Sequence, residues 1–160
     1  MTDYGAALFP EAWAKSQKFA IFATMKRPIV VTAGVYDILH IGHVELFRKA
    51  RALGGSLVVA VQRSEDVARF KPDAGLVGTT DERSYMVRSV RYVDDVVEYS
   101  SVDDLCGRVD FDIFVKGPDQ NHAAFRKVEG WCAEHGKEVV TLPRTEGISS
   151  SRLKEIIRSI

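Results

Sequence analysis

Ile29-Val30-Val31-Thr32-Ala33-Gly34-Val35-Tyr36-Asp37-Ile38-Leu39-His40-Ile41-Gly42-His43 is the stretch that decides how this chain folds. Its first five residues form an apolar run between Pro28 and Gly34, the pattern of a strand buried on both faces. From Gly42 to Leu53 the period changes. Val44, Phe47, Ala50 and Ala52–Leu53 make one apolar face, Glu45, Arg48, Lys49 and Arg51 lie elsewhere, and Gly54-Gly55 ends the pattern. The segment is therefore strand, loop, helix. The helix start offers free N–H groups and a positive dipole end, where anions settle. Gly34 and Gly42 allow backbone to approach a bulky phosphate. His40 and His43, three apart at that first turn, can set both imidazoles on one side of such an anion.

The same alternation continues outward. Ser56–Val61 reads as a second buried strand, and Ser64 as the cap of a short helix reaching Arg69 and Phe70. Lys71–Thr79, with Pro72, Gly75 and Gly78, reads as a loop. Thr80 is expected to cap a helix through Val90, with Asp81 and Glu82 in its first turn. Val96–Tyr99 is a third strand, followed by a helix from Ser101 or Asp103. Asp112–Lys116 is a fourth strand closed by Gly117-Pro118. Asn121–His135 is helical, Glu138–Leu142 is a fifth strand, and Ser149 or Ser150 caps a last helix to Ile160. Alternating β and α with apolar strands predicts an α/β chain: a single-domain, Rossmann-like, doubly wound parallel sheet of about five strands over residues 28–160. Ligands in such sheets bind beyond the carboxyl ends of the strands, where strand order reverses. Residues 1–27, with Phe9, Trp13, Phe19, Ile21 and Phe22, fall outside the pattern. They read as a partly helical arm, packed on its own domain or on a partner.

Composition narrows the function. Lys plus Arg and Asp plus Glu are each 22 in 160 residues, so the net charge is zero and there is no long-range pull toward nucleic acid or an anionic membrane. Any phosphate site must be local. Cys106 and Cys132 have no metal spacing and read as reduced thiols of a cytoplasmic protein. No apolar run approaches the ~20 residues of a membrane span, and Met1–Gly5 does not open a signal peptide. Neither G-x-x-x-x-G-K-[ST] nor a post-strand G-x-G-x-x-G is present. Without a nearby matching Glu, His40 and His43 do not form a zincin pattern.

Three elements in order carry a resemblance: His40-Ile41-Gly42-His43, then Arg91-Tyr92-Val93-Asp94 preceded by Glu82-Arg83, then Arg144-Thr145-Glu146-Gly147-Ile148-Ser149-Ser150-Ser151. Together they span residues 29–160. The chain resembles the HxGH cytidylyltransferase-like nucleotidyltransferases, above all those acting on glycerol 3-phosphate, phosphocholine and phosphoethanolamine. The resemblance implies an enzyme joining a nucleoside triphosphate to a small phosphorylated alcohol, with pyrophosphate released. It gives catalytic roles to His40, His43, Lys71 and Arg144. Nucleotide contacts would come from Ala33, Gly34, Val35, Tyr36, Gly42, Lys116, Asp119, Thr145, Ile148, Ser149 and Ser150. Tyr36, Asp37 and Arg83 would face the acceptor, with Asp37 near the ribose or metal. Arg63 and Arg69 are secondary candidates. The implied cofactor is Mg²⁺ carried by the phosphates of CTP, the implied assembly a homodimer paired near Arg91–Asp94.

Two departures keep other readings open. Val35-Tyr36 stands where the family has Thr-Phe or a close variant, and Gly117-Pro118-Asp119-Gln120 replaces a Gly-Asp-Asp-Trp type segment. The second is nearer to sugar-phosphate adenylyltransferases. ATP with a sugar phosphate or FMN is therefore the alternative, and a non-catalytic nucleotide sensor the alternative of another class.

Overall fold

The computed structural model describes residues 23–160, so Phe9, Trp13, Phe19, Ile21 and Phe22 of the expected arm lie outside the described residues. Five strands alternate with helices: β1 (Ile29–Gly34), α1 (Ile41–Arg51), β2 (Ser56–Gln62), α2 (Ser64–Phe70), α3 (Thr80–Arg88), β3 (Asp95–Tyr99), a 3-10 turn (Val102–Leu105), β4 (Ile113–Lys116), α4 (Ala123–Glu134), β5 (Glu138–Thr141) and α5 (Ser150–Ser159). The strands are all parallel, in the order β3-β2-β1-β4-β5. The chain winds one way from β1 to β3 and the other way from β4 to β5. The order reverses between β1 and β4, and the crevice lies at their carboxyl ends.

The period-2 geometry of a strand sends alternate side chains of β1 to opposite faces. Ile29, Val31 and Ala33 pack with Phe114, Phe125, Val128 and Leu105 under α4 and the 3-10 turn. Val30 packs with Phe47, Ala50, Leu57, Val59 and Val87 under α1 and α3. Both faces are covered, which is why β1, β2 and β4 are mainly apolar and buried along nearly their whole length.

Several boundaries differ from the sequence expectation for identifiable reasons. Thr79, not Thr80, caps α3, forming a reciprocal capping box with Glu82. Thr80 instead uses its hydroxyl on Ser64, accepting from Ser64 N–H at 2.9 Å. Ser64 does not cap α2; its Oγ accepts from Arg83 Nη2 at 3.0 Å. The expected helix after Ser101 is a four-residue 3-10 turn capped by Ser101. Gly54 and Gly55 do more than end α1. A Cβ on either would come within 2.3 and 2.5 Å of the Pro28 and Lys26 carbonyl oxygens, so the segment leading into β1 crosses directly over them. Cys106 and Cys132 are free thiols. Among the described residues no helix is long and apolar enough to cross a membrane.

Candidate active site

The β1–α1 loop is built around Asp37, which is 4% exposed. Its neighbours Tyr36 and Ile38 both have left-handed backbone, with φ of +55° and +49°, uncommon for residues with side chains and more so for a β-branched one. Contacts on every side keep this turn in place. The Asp37 carboxylate accepts from Val77 N–H (3.1 Å) and Gly78 N–H (3.0 Å), and Lys154 Nζ is 2.8 Å from Oδ2. Its carbonyl accepts the Ser150 hydroxyl at 2.6 Å. Burial alone would raise the carboxyl pKa; Lys154 and the two amides outweigh that and hold it low.

From that turn the chain enters α1 with His40 as N-cap. His40 Nδ1 accepts from Gly42 N–H at 3.1 Å, so the neutral ring carries its proton on Nε2. The His40 and His43 rings stack with centroids 3.8 Å apart, and the Tyr36 ring meets His43 edge-on at 5.2 Å. Burial, then the charges of His40 and Arg144, push His43 down to about 3; burial lowers His40 as well. At neutral pH the pair is thus two uncharged imidazoles beside the helix N-terminus, able to donate N–H to an anion. Gly42 is required by packing. A Cβ there would lie 2.9 Å from His40 Cε1 and 3.1 Å from Ile148 Cγ2. The His40–His43 turn and the Arg144–Ser151 segment are therefore in direct contact, although a hundred residues separate them.

Beyond β5 this second segment runs back across the crevice. Ser149 caps α5, accepting from Arg152 N–H at 3.1 Å. Arg144 is exposed and forms a two-pronged pair with Asp119, its Nε donating at 2.8 Å. Burial opposes ionisation of Asp119, but Arg144 in contact and the charge of Lys71 farther off hold its pKa down. Lys71 is an exposed residue at the start of the loop. Thr145 is half-buried and Ile148 lies against Gly42.

Other expected residues are tied into the frame. Arg83 is 3% exposed and donates to Val35 O (2.7 Å), Gly78 O (3.2 Å) and Ser64 Oγ (3.0 Å). Burial lowers its pKa, with Asp37 opposing. The Tyr36 ring is buried, and that burial pushes its phenol well up, against the nearby Thr32 hydroxyl. Lys116 pairs with Glu129 on α4. Arg63 and Arg69 both pair with the buried carboxylate of Asp66. Gln120 lies in the Gly117–Gln120 segment that departs from the family pattern, whereas nothing in the sequence draws attention to Lys154. Gln120 joins the two strands at the reversal, donating to Ala33 O (2.9 Å) and accepting from Gly117 N–H (2.8 Å). Lys154 follows Ser150 by four residues, a spacing that puts both on one face of α5 and was the available signal.

Fold and site together define a doubly wound α/β domain with anion-binding groups gathered at its switch point, the arrangement of a nucleotide-handling protein. The chain belongs to the cytidylyltransferase-like family, whose model matches residues 31–156. It is similar to the glycerol-3-phosphate cytidylyltransferase of Staphylococcus aureus, 37% identical over 134 residues covering 82% of this chain and 94% of that one. It is also similar to the FAD synthase of Thermococcus kodakarensis, 32% identical over 140 residues covering 84% and 93%. The crystal structure of a lipopolysaccharide core biosynthesis protein from Thermoplasma volcanium has the same fold, with a TM-score of 0.60 and 24% identity over 73% of this chain and 95% of that one.

Proposed function

We propose that this protein transfers CMP from CTP to the phosphate of a small phosphorylated alcohol, glycerol 3-phosphate or a close analogue including a phosphonate, and releases pyrophosphate. One observation carries the reading. The uncharged, stacked His40–His43 pair at the start of α1 packs against the segment bearing Arg144, Ser149 and Ser150. Similarity to the S. aureus enzyme supports CTP and a glycerol 3-phosphate-like acceptor.

The chemistry asks for positioning and charge neutralisation. The acceptor phosphate is already ionised at neutral pH, so no general base is needed. Its oxygen forms a bond to the α-phosphorus as the bond to the pyrophosphate oxygen breaks, and the negative charge leaves with pyrophosphate. His40 and His43 donate N–H to the α-phosphate and its bridge. Arg144, released from Asp119, takes the β- and γ-phosphates with the N–H groups at Ser149 and Ser150, and Lys71 neutralises the departing charge. Asp119, once free, is available to the ribose or base. Among the described residues no cluster of three metal-ligating side chains exists, and the Asp37 carboxylate is saturated by Lys154 and two amides. We infer that Mg²⁺ enters with the CTP substrate, held by its phosphates. The protein works as a cytoplasmic homodimer; Tyr85 and Met86, exposed on α3 just before Arg91–Asp94, suit a paired face.

The test is pyrophosphate release by purified protein given CTP, ATP, GTP or UTP with glycerol 3-phosphate, phosphocholine, a sugar phosphate or FMN. CTP-dependent formation of a CDP-alcohol is the expected result. Turnover with ATP alone would favour the second reading, an adenylyltransferase, which the Gly117–Gln120 segment and the FAD synthase likeness support.

A further inference from the structure

We propose that Lys154 is a positioning residue that ties the Lys71-bearing loop to the triphosphate-binding turn; the inference rests on the functional reading above. The Lys154 ammonium uses its three N–H donors on three partners: Asp37 Oδ2 at 2.8 Å, Gly75 O at 2.9 Å and Ala74 O at 3.1 Å. Asp37 in turn accepts the N–H groups of Val77 and Gly78. One ion pair thus holds residues 74, 75, 77 and 78, four points of a loop containing Pro72, Gly75 and Gly78. That loop has little hydrogen bonding of its own beyond Ala74 N–H to Lys71 O at 3.0 Å. The pair is shielded, with Lys154 16% and Asp37 4% exposed, so it is stronger than a surface pair.

Four residues earlier on the same helix face, the Ser150 hydroxyl grips the Asp37 carbonyl. The first turn of α5 and the loop are therefore fastened to one aspartate and move together. A triphosphate seated at the start of α5 would then meet Lys71 on a fastened loop instead of a free one.

Lys154→Met removes the tether and keeps the length of the side chain. The Val77 and Gly78 amides should exchange with solvent at least tenfold faster by NMR, beyond any change at the β1 core amides, and Tm should fall because the Asp37 charge is left buried without its cation. With CTP, kcat should fall about tenfold and KM by less than threefold in either direction. In a Lys71→Ala background, itself slower than wild type, Lys154→Met should cost less than a further twofold, because the lysine it positions is gone. Lys154→Arg, which keeps charge beside Asp37, should recover part of kcat. Unchanged exchange at Val77 and Gly78, no loss of rate in Lys71→Ala, or losses that multiply in the double variant would each overturn the proposal. Should Lys154→Met fail to fold, Lys154→Gln takes its place in every comparison. The exchange measurement needs no substrate. If the wild-type protein turns over no CTP, the functional reading fails and the exchange result alone decides the tether.

Discussion

Lowering the pH from 7.5 to 5.5 should destabilise this protein through the depressed imidazoles of His43 and His40, and replacing His43 by Asn should remove the His43 part of the loss. In the unfolded chain His43 titrates near 6.5; in the folded protein burial, His40 and Arg144 push it to about 3. The folded pKa is depressed, so below about 6.5 the unfolded state takes up a proton that the folded state refuses. Stability is intact above pH 6.5 and declines as pH falls toward 3. Linkage makes the loss about 1.4 kcal/mol at pH 5.5, from one unit of pH at 1.36 kcal/mol per unit. For a chain of this size that is a fall in Tm of about 3–6 °C. Urea unfolding of wild type and His43→Asn at both pH values isolates the contribution, since the two proteins differ at that side chain alone. Wild type should lose about 1.4 kcal/mol more than the variant between the two conditions. Equal losses would refute the neutral, buried pair, and with it the picture of two stacked imidazoles 3.8 Å apart acting as uncharged donors.

Three further outcomes follow from the geometry. Gly42→Ala puts a Cβ 2.9 Å from His40 and 3.1 Å from Ile148; displacing the His40 ring by about 1 Å should cut kcat by about a hundredfold in steady-state assays. Arg144→Lys keeps the charge and loses the planar fork, so KM for CTP should rise about tenfold; an unchanged KM would take Arg144 out of the triphosphate clamp. Phe114→Ala empties the centre of the core between β1 and α4 and should cost about 3–5 kcal/mol in urea unfolding, while kcat per folded molecule stays the same.

The strand–loop–helix around the histidines was legible in the sequence. A buried strand, two glycines and His40–His43 stand together in one short stretch, and the structure places both rings at the start of α1. Alternation of apolar strands with helices led to the parallel sheet for a local reason: strands covered on both faces carry no polar stripe. Boundaries were less legible where hydroxyls compete. Ser64, Thr79 and Thr80 are all good caps by residue type, and only the buried guanidinium of Arg83 decides that Ser64 serves it and Thr79 caps α3. Asp37 illustrates the limit most clearly. Its place between the histidines and the strand suggested ligand contact, while its carboxylate is occupied by Lys154, Val77 and Gly78, contributed by two other stretches of chain.

By itself, then, the sequence determined the βα units, the parallel sheet and the two motifs proposed to hold the triphosphate, since each is written in residues a few positions apart. Only the tertiary structure decided that these motifs touch. The reversal between β1 and β4 brings the Arg144–Ser151 segment back over the crevice until Ile148 rests on Gly42. It also decided that Lys71 and Arg144 stay exposed, Arg144 in a surface pair with Asp119. Arg83, Lys116 and Asp37 are consumed by partners distant in sequence, and no spacing along the chain encodes such pairings.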